Sequence, residues 1–347
     1  MRVLALETSC DETSAAVVRR EGNTITLDGL TILSQDVHRI FGGVVPELAS
    51  RAHLATLGPV VDDALRQAGV GVADLDGIAV TRGPGLLGAL LVGVTWAKTV
   101  AWREQLPLIG VHHLEGHLFA PTLEDPSAQP PFTALLVSGG HTMLLDVPAW
   151  GEYHLLGETR DDAAGEAFDK VGSLLGLDYP AGAAIERLAA TGNPSRYRLP
   201  RPLLKQPPGE STYEFSFSGL KTAVLRATEK SDNLERDRAD LARGFQDAVI
   251  EVLVTKTKWA AEACQRDLVV LGGGVACNRA LSTAMREAVA PFARVAVASP
   301  RLNTDNAAMI GAAGSWRLAR GERDGVDLDA RDAILLPGLI TTTGVGA

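Results

Sequence analysis

A strand, a polar turn and a second strand occur twice in this chain, and that duplication limits the folds open to it. Val3 to Leu6 is a short apolar run, residues 7–13 are a polar turn, and Ser14 to Arg19 is apolar again. The pattern returns as Thr133 to Val137, a turn from Ser138 to Thr142, and Met143 to Val147, so that Ser9 falls on Ser138 and Thr13 on Thr142. A second unit is echoed as well. The strand Ile78 to Thr81, the turn Gly83-Pro84-Gly85 and the apolar helix from Leu86 to Trp102 are matched by Leu268 to Leu271, Gly272-Gly273-Gly274 and a helix from Val275. A half-chain repeat of this kind predicts two like α/β domains facing each other across a cleft.

The boundary is expected in Pro121 to Pro131, a stretch rich in Pro and polar residues without periodicity. The predicted organisation is a first domain over 1–125 and a second over 126–335, whose last helix, from about 305, returns to the cleft. Residues 336–347 are expected to be a flexible tail. Helices are predicted over 46–68, 161–176, 180–190, 217–228, 236–263 and 305–320, with Asp161 and Asp162 in the first turn of theirs. Residues 194–216 form an extended loop carrying Arg196, Arg198, Arg201 and Lys205, readable as an RNA contact or as a solvated loop.

Composition narrows the function classes. With 33 basic and 42 acidic residues the net charge is -9, so bulk charge will not hold nucleic acid, and any RNA contact needs a local patch or a partner. Cys10, Cys264 and Cys277 form neither a CxxC pair nor an even framework, which suits a reducing cytosol. The most apolar run, Leu86 to Ala97, is too short and Gly-rich to span a bilayer. A soluble cytoplasmic protein without a membrane partner is expected.

Four of the seven His lie between His112 and His141. On a helix His113 and His117, four residues apart, share one face and can hold one divalent metal. The spacing does not make a zincin protease, which needs His-Glu-x-x-His. Glu115 stands two residues from each His and is turned roughly 200° away at about 100° per residue. Asp305, in Asn303-Thr304-Asp305-Asn306, reads either as a helix N-cap or as the carboxylate completing a His-His-Asp site with positions left open for substrate. Asp11 and Glu12 in the first turn could hold a metal, take a proton or simply be solvated. The turns at 83–85, 138–140 and 272–274 match neither Walker A nor GxGxxG. Three of them in a duplicated frame predict a nucleotide or phosphate site built from backbone N–H groups.

Together these segments resemble one family. They are Glu7-Thr8-Ser9-Cys10-Asp11-Glu12-Thr13, the runs 42–51 and 83–86, His112 to His117, Val137 to Thr142, Asp162 to Lys170, Phe215 to Lys221, Gly272 to Val275 with Asn278-Arg279, and Thr304-Asp305-Asn306. The chain resembles the transferase subunit of the bacterial tRNA threonylcarbamoyladenosine synthase, a family once described as O-sialoglycoprotein endopeptidases. The resemblance implies an α/β duplicated fold like actin, the Hsp70 ATPase domain and sugar kinases. It implies transfer of threonylcarbamoyl from threonylcarbamoyl-AMP to N6 of adenosine 37 in tRNAs that read codons beginning with A, with release of AMP.

Carried over by motif, His113, His117 and Asp305 would be ligands of one divalent metal, with Fe2+ implied first and Zn2+ as the other candidate. Leu136, Val137, Ser138, Gly139 and Gly140 would line the substrate. Asp169, Gly182, Gly273 and Asn278 would hold the nucleotide, and Glu186 is a further candidate. Asp11 or Glu12 would be the base that helps N6 attack. A smaller paralogous subunit and a small ATPase subunit are the implied protein partners. Cys277 stands where relatives commonly carry Ala. The alternative on residues alone is an ATP-dependent phosphotransferase of the sugar-kinase type.

Overall fold

A computed structural model of the chain describes residues 1–204 and 213–341. Two units are present, one of residues 1–129 and 298–337, the other of 130–297 with the residues from 338 onward. The first unit opens with β1 (Arg2–Glu7), β2 (Glu12–Glu21) and β3 (Thr24–Ser34). It continues through α1 (Pro46–Ala68), β4 (Gly77–Gly83), α2 (Leu87–Glu104), β5 (Leu108–His112) and α3 (His113–Phe119). The second holds β6 (Phe132–Val137), β7 (Thr142–Ala149), β8 (Glu152–Glu158), α4 (Ala164–Leu174), α5 (Gly182–Ala189) and α6 (Ser218–Glu229). Then come α7 (Leu234–Ala263), β9 (Leu268–Gly272), α8 (Arg279–Val289) and β10 (Arg294–Val297). The chain next returns to the first unit as α9 (Pro300–Asn303) and α10 (Ala307–Ala319), and ends in the second as β11 (Leu339–Thr341).

The repeat read from sequence is a repeat of topology. The first sheet runs β3-β2-β1-β4-β5, and the second runs β11-β8-β7-β6-β9-β10. In each the first two hairpin pairs are antiparallel and the next two pairs parallel. Register follows too. Leu4 faces Val17, and Thr133, its counterpart, faces Asp146, the counterpart of Val17.

Strand alternation divides the first sheet into two faces. Leu4, Leu6, Ala15, Val17, Ile78 and Val80 pack with Leu57 and Val61 of α1 and Leu90 and Val94 of α2. The other face takes α10, which explains why the contiguous second domain expected over 126–335 is not what forms. A Cβ at Gly311 would lie 2.9 Å from Val18 Cγ1 and 3.1 Å from Ala5 Cβ, and one at Gly314 would lie 2.4 Å from Ala79 Cβ. Small residues let this helix lie directly on β1, β2 and β4, and its residues from Ala307 to Ser315 are buried there. The division after Gln129 falls within the Pro-rich stretch, but residues 298–337 belong with the first unit.

Three further expectations are corrected. Residues 339–341 are not free tail but a strand paired in parallel with β8, while 342–347 lie outside the described residues. Asp161 starts no helix of its own. Its carboxylate accepts from Phe217 N, Ser218 N and Ser216 Oγ at 2.7, 3.2 and 2.5 Å and so caps α6, whereas α4 begins at Ala164. The segment after Gly273 is first a 3-10 turn, Gly274–Cys277, and α8 follows only from Arg279. In the basic loop Arg201 pairs with Glu251 at 2.8 Å and Arg196 lies 3.6 Å from Asp237, so both are engaged within the chain. Lys205 lies outside the described residues. No helix among the described residues is long and apolar enough to cross a membrane.

Candidate functional site

β5 delivers the chain to His112, which caps α3. Its Nδ1 accepts the Leu114 N–H at 3.2 Å, and its Nε2 donates to Ile334 O at 3.1 Å. His112 is thereby fixed away from the next turn, as its place off the 113/117 face requires. His113 and His117 do share a face, with ring centroids 4.9 Å apart and planes at 89°.

The chain reaches them a second time just before α10. There Asn306, not Asp305, is the N-cap. Its Oδ1 accepts from Met309 N at 3.1 Å and its Nδ2 donates to Leu302 O and Thr304 O. The cap reading of Asp305 is therefore taken by its neighbour, and the Asp305 carboxylate is left to face the rings. Its Oδ1 stands 3.4 Å from His113 Nε2 and 3.3 Å from His117 Nε2. One donor atom from each of the three residues falls within 4.8 Å of the others. All three residues belong to the first unit.

The donor set fits a divalent cation on grounds internal to this site. His117 is buried, and among the described residues its Nδ1 has no hydrogen-bond partner, while its Nε2 faces only the Asp305 carboxylate at 3.3 Å. A buried orphaned imidazole is costly unless something takes its lone pair. Burial also holds the His117 pKa below its ordinary value, which keeps the ring neutral as a ligand must be. His113 goes the other way: burial alone would lower it, but Asp305 and then Glu7 outweigh that and raise it well above the ordinary value. Burial pushes Asp305 up, and the two imidazoles, His113 first, more than reverse this and hold it far below the carboxylate range. With its two imidazoles and a carboxylate, the set suits Fe or Zn and leaves positions open.

Two residues around the triad are given no role by the sequence, although Glu7 opens one of the family segments. Glu7 ends β1 and is fully buried. Its Oε2 lies 3.0 Å from His113 Nδ1 and accepts from Thr81 Oγ1 at 2.7 Å, while Oε1 accepts from Ser9 N at 2.5 Å. Burial would raise its pKa, but His113 and Ser9 outweigh it and hold it below the ordinary value. The one clue in sequence is an acid closing an otherwise apolar strand. The other residue is Arg317 of α10, which grips the fully buried Glu115 through two bonds of 2.7 Å. Glu115 is thus the residue that ties the His helix to the helix following Asp305, consistent with its being turned off the ligand face.

Asp11 and Glu12 are half-buried at the end of the β1–β2 turn. Burial, and then the charges of Asp305 and Asp11, push the Glu12 carboxyl up to about 9. The turn is braced from behind by His53, whose Nε2 donates to Cys10 O at 2.9 Å while its Nδ1 meets Thr13 Oγ1 at 2.8 Å.

The remaining predicted residues lie in the second unit. Leu136 and Val137 are buried in β6, whereas Gly139 and Gly140 are exposed. Side chains added at Gly139, Gly140 or Gly182 would meet nothing within 4 Å. Ser138 Oγ accepts from His141 N at 3.1 Å and its carbonyl from Gly165 N at 3.1 Å, which ties the turn to α4. Gly273 has φ +93, and a Cβ there would lie 2.5 Å from Val137 O, so the two glycine turns abut through backbone. Asp169, its pKa raised by burial, accepts from Ala181 N at 2.8 Å beside Gly182. Asn278 caps α8 through Leu281 N at 3.0 Å and donates to Gln246 Oε1, and Glu186 accepts from Arg279 N at 2.8 Å. Ser138 and Gly273 thus stand at the ends of β6 and β9, Asp169 of α4 meets the start of α5 beside Gly182, and Glu186 of α5 meets the start of α8 beside Asn278.

A duplicated five-strand frame, with turn-borne side chains at the strand ends of both copies, defines the actin, Hsp70-ATPase and sugar-kinase class of α/β proteins. Solved structures agree on the fold. T. kodakarensis HypF superposes with a TM-score of 0.62 at 14% identity, covering 92% of this chain and 48% of that one. Component A of (R)-2-hydroxyglutaryl-CoA dehydratase from Acidaminococcus fermentans gives 0.54 at 12% identity, covering 92% and 99%.

Sequence comparison is more specific. The tRNA N6-adenosine threonylcarbamoyltransferase of Gemmatimonas aurantiaca is 59% identical over 351 residues, covering 98% of each chain. That of Syntrophotalea carbinolica is 53% identical over 340 residues, covering 95% of this chain and 96% of the relative. A family profile described as tRNA N6-adenosine threonylcarbamoyltransferase matches residues 27–312. The chain belongs to that family and is a transferase.

Proposed function

We propose that this protein transfers the threonylcarbamoyl group from threonylcarbamoyl-AMP to N6 of adenosine 37 in tRNAs reading codons that begin with A, forming threonylcarbamoyladenosine and releasing AMP. The observation that carries the reading is the convergence of His113, His117 and Asp305 within 4.8 Å, with the His117 ring buried. These three residues would hold one divalent metal, Fe2+ or Zn2+. When bound, such an ion supplies a positive charge and open coordination positions for an oxygen-bearing substrate.

The donor is a mixed carbamic–phosphoric anhydride, so AMP is a good leaving group, and the protein's task is mainly to orient and to stabilise charge. The exposed turn Ser138-Gly139-Gly140 and Gly273 would offer backbone to the phosphate. Asp169, Gly182, Asn278 and Glu186 would frame the nucleoside, with Leu136 and Val137 shaping the floor. Adenosine N6 is a weak nucleophile. Asp11 or Glu12 would take its proton. The target base must be splayed from the anticodon loop to react.

A smaller paralogous subunit and a small ATPase subunit are the expected partners in the cytoplasm. An apolar groove of the first unit, lined by Leu54, Leu57, Pro59, Leu91 and Trp96, supports a protein partner there, since Leu54 is 76% exposed. The test is incubation with threonylcarbamoyl-AMP and unmodified tRNA, with and without those subunits, followed by nucleoside mass spectrometry. Threonylcarbamoyladenosine at position 37 with equimolar AMP is expected. Phosphorylation of a small substrate from ATP with no modified tRNA would contradict the reading.

A further inference from the structure

We propose that Glu7 is a positioning residue of the metal centre, fixing the tautomer and aim of His113 through a buried carboxylate–imidazole pair that Thr81 and Ser9 hold in place. The inference rests on the metal site proposed above and concerns how that site is set.

Glu7 sits at the end of β1 with no exposure to solvent, so its carboxylate must spend its lone pairs on protein donors. Three are on hand. Thr81 Oγ1 on the neighbouring strand β4 donates to Oε2 at 2.7 Å, Ser9 N donates to Oε1 at 2.5 Å, and His113 Nδ1 lies 3.0 Å from Oε2. An ionised carboxylate only accepts, so the His113 contact places the ring proton on Nδ1. With that proton held on Nδ1, Nε2, which faces Asp305 at 3.4 Å, is the nitrogen left for a cation to take. A ligand imidazole backed by a carboxylate is oriented and made a better donor, and loss of such a backing group costs about 10–100-fold in metal affinity. The two imidazoles are therefore unequal. His113 Nδ1 is backed by the Glu7 carboxylate, whereas His117 Nδ1 has no hydrogen-bond partner among the described residues.

The side chains come from separate elements of the first unit. Glu7 rides on β1, Thr81 on β4 and His113 on α3, and β1 and β4 are bonded in parallel register. Sheet and His helix are thus joined at one carboxylate. Ser9 Oγ also lies 3.3 Å from His113 Nδ1, a longer contact than that of Glu7.

The test is cobalt(II) binding to the full-length chain, followed by visible absorption and by competition with a chelating dye, with no substrate present. Glu7→Gln keeps the shape and an acceptor but removes the charge. Its affinity should fall about tenfold or more, with an altered cobalt spectrum. Thr81→Val, which frees Oε2, should change affinity and spectrum in the same direction by less. Ser9→Ala keeps the backbone N–H to Glu7 and should bind as the parent does. His117→Ala reports on the site itself and should lose binding altogether.

Lost binding in His117→Ala with parental affinity and spectrum in Glu7→Gln would overturn the role of Glu7 and leave the metal site standing. Parental binding in His117→Ala would overturn both. Thermal melting of the metal-free variants shows whether each folds. If Glu7→Gln does not fold, Thr81→Val decides alone, and an unchanged cobalt spectrum there overturns the proposal.

Discussion

The two units use one frame for opposite ends. Each has a hairpin from β1–β2 or β6–β7, in the same register, with the β4 or β9 strand alongside. In the first unit the hairpin turn is acidic, with Glu7, Asp11 and Glu12, and lies by the His113–His117–Asp305 group. In the second the matching turn is Ser138-Gly139-Gly140, with no carboxylate and exposed backbone. Side chains concentrate negative charge and suit a cation. Bare peptide N–H groups suit a phosphate. A duplicated scaffold fixes where a turn lies, and the residue types on it choose the charge of what binds there.

The largest effect should come from removing the cation side. His113→Ala with His117→Ala is expected to reduce threonylcarbamoyladenosine formation to the level of a reaction without protein, read by nucleoside mass spectrometry. Both rings are buried, so thermal melting of the double variant checks that the frame survives. Full modification by a metal-free double variant would break the comparison at its first term.

Next in size is the anchor of the His helix. Arg317→Ala removes both guanidinium bonds to the buried Glu115, and breaking a buried pair in this way costs about 3–5 kcal/mol. Hydrogen exchange should show α3 and α10 opening more often, with weaker cobalt binding although no ligand is changed. The second unit offers a control in the pair Asp146–Arg266, at 2.7 and 2.9 Å but more exposed. Arg266→Ala should cost less and leave cobalt binding alone.

Gly273→Ala tests the phosphate side. A side chain at φ +93, with Val137 O in its path, strains the turn by about 1–3 kcal/mol. AMP affinity by calorimetry should drop at least tenfold, while metal uptake by the first unit stays as it was.

The smallest effect is a pH dependence confined to the second unit. Lys256 is buried in α7, its ammonium donating to Glu214 O and lying 5.6 Å from the Phe215 ring. Burial lowers its pKa from the ordinary 10.5 to about 8. A base with a depressed folded-state pKa binds fewer protons folded than unfolded, so stability should rise as pH climbs from about 8 to 10.5 and be flat below that window. Exchange protection of α7 should follow this trend in the parent and lose it in Lys256→Met.

Much of the frame was legible because period and punctuation are local. The α1 helix from Pro46 to Ala68, the His helix and the hairpin repeat were all readable from spacing and from Gly and Pro placement. The family motifs pointed to the ligand triad before any coordinate did. The last helix was expected to return to the cleft, but sequence order hid which sheet it packs on. That α10 crosses back to the first sheet depends on Gly311 and Gly314 fitting Ala5, Val18 and Ala79, a contact between residues hundreds of positions apart. Arg317, and the role of Glu7 within its motif, stayed silent for the same reason, since their meaning lies in the partners that folding brings to them. Asp305 was ambiguous until Asn306 was seen to fill the cap.

The division of labour between the units is tested most directly by measuring metal content and AMP affinity on the same two variants. The double His113→Ala, His117→Ala protein should lose the metal and keep parental AMP affinity, and Gly273→Ala should keep the metal and lose AMP. Parental metal content in the double His variant, or loss of both ligands in either one, would contradict the account.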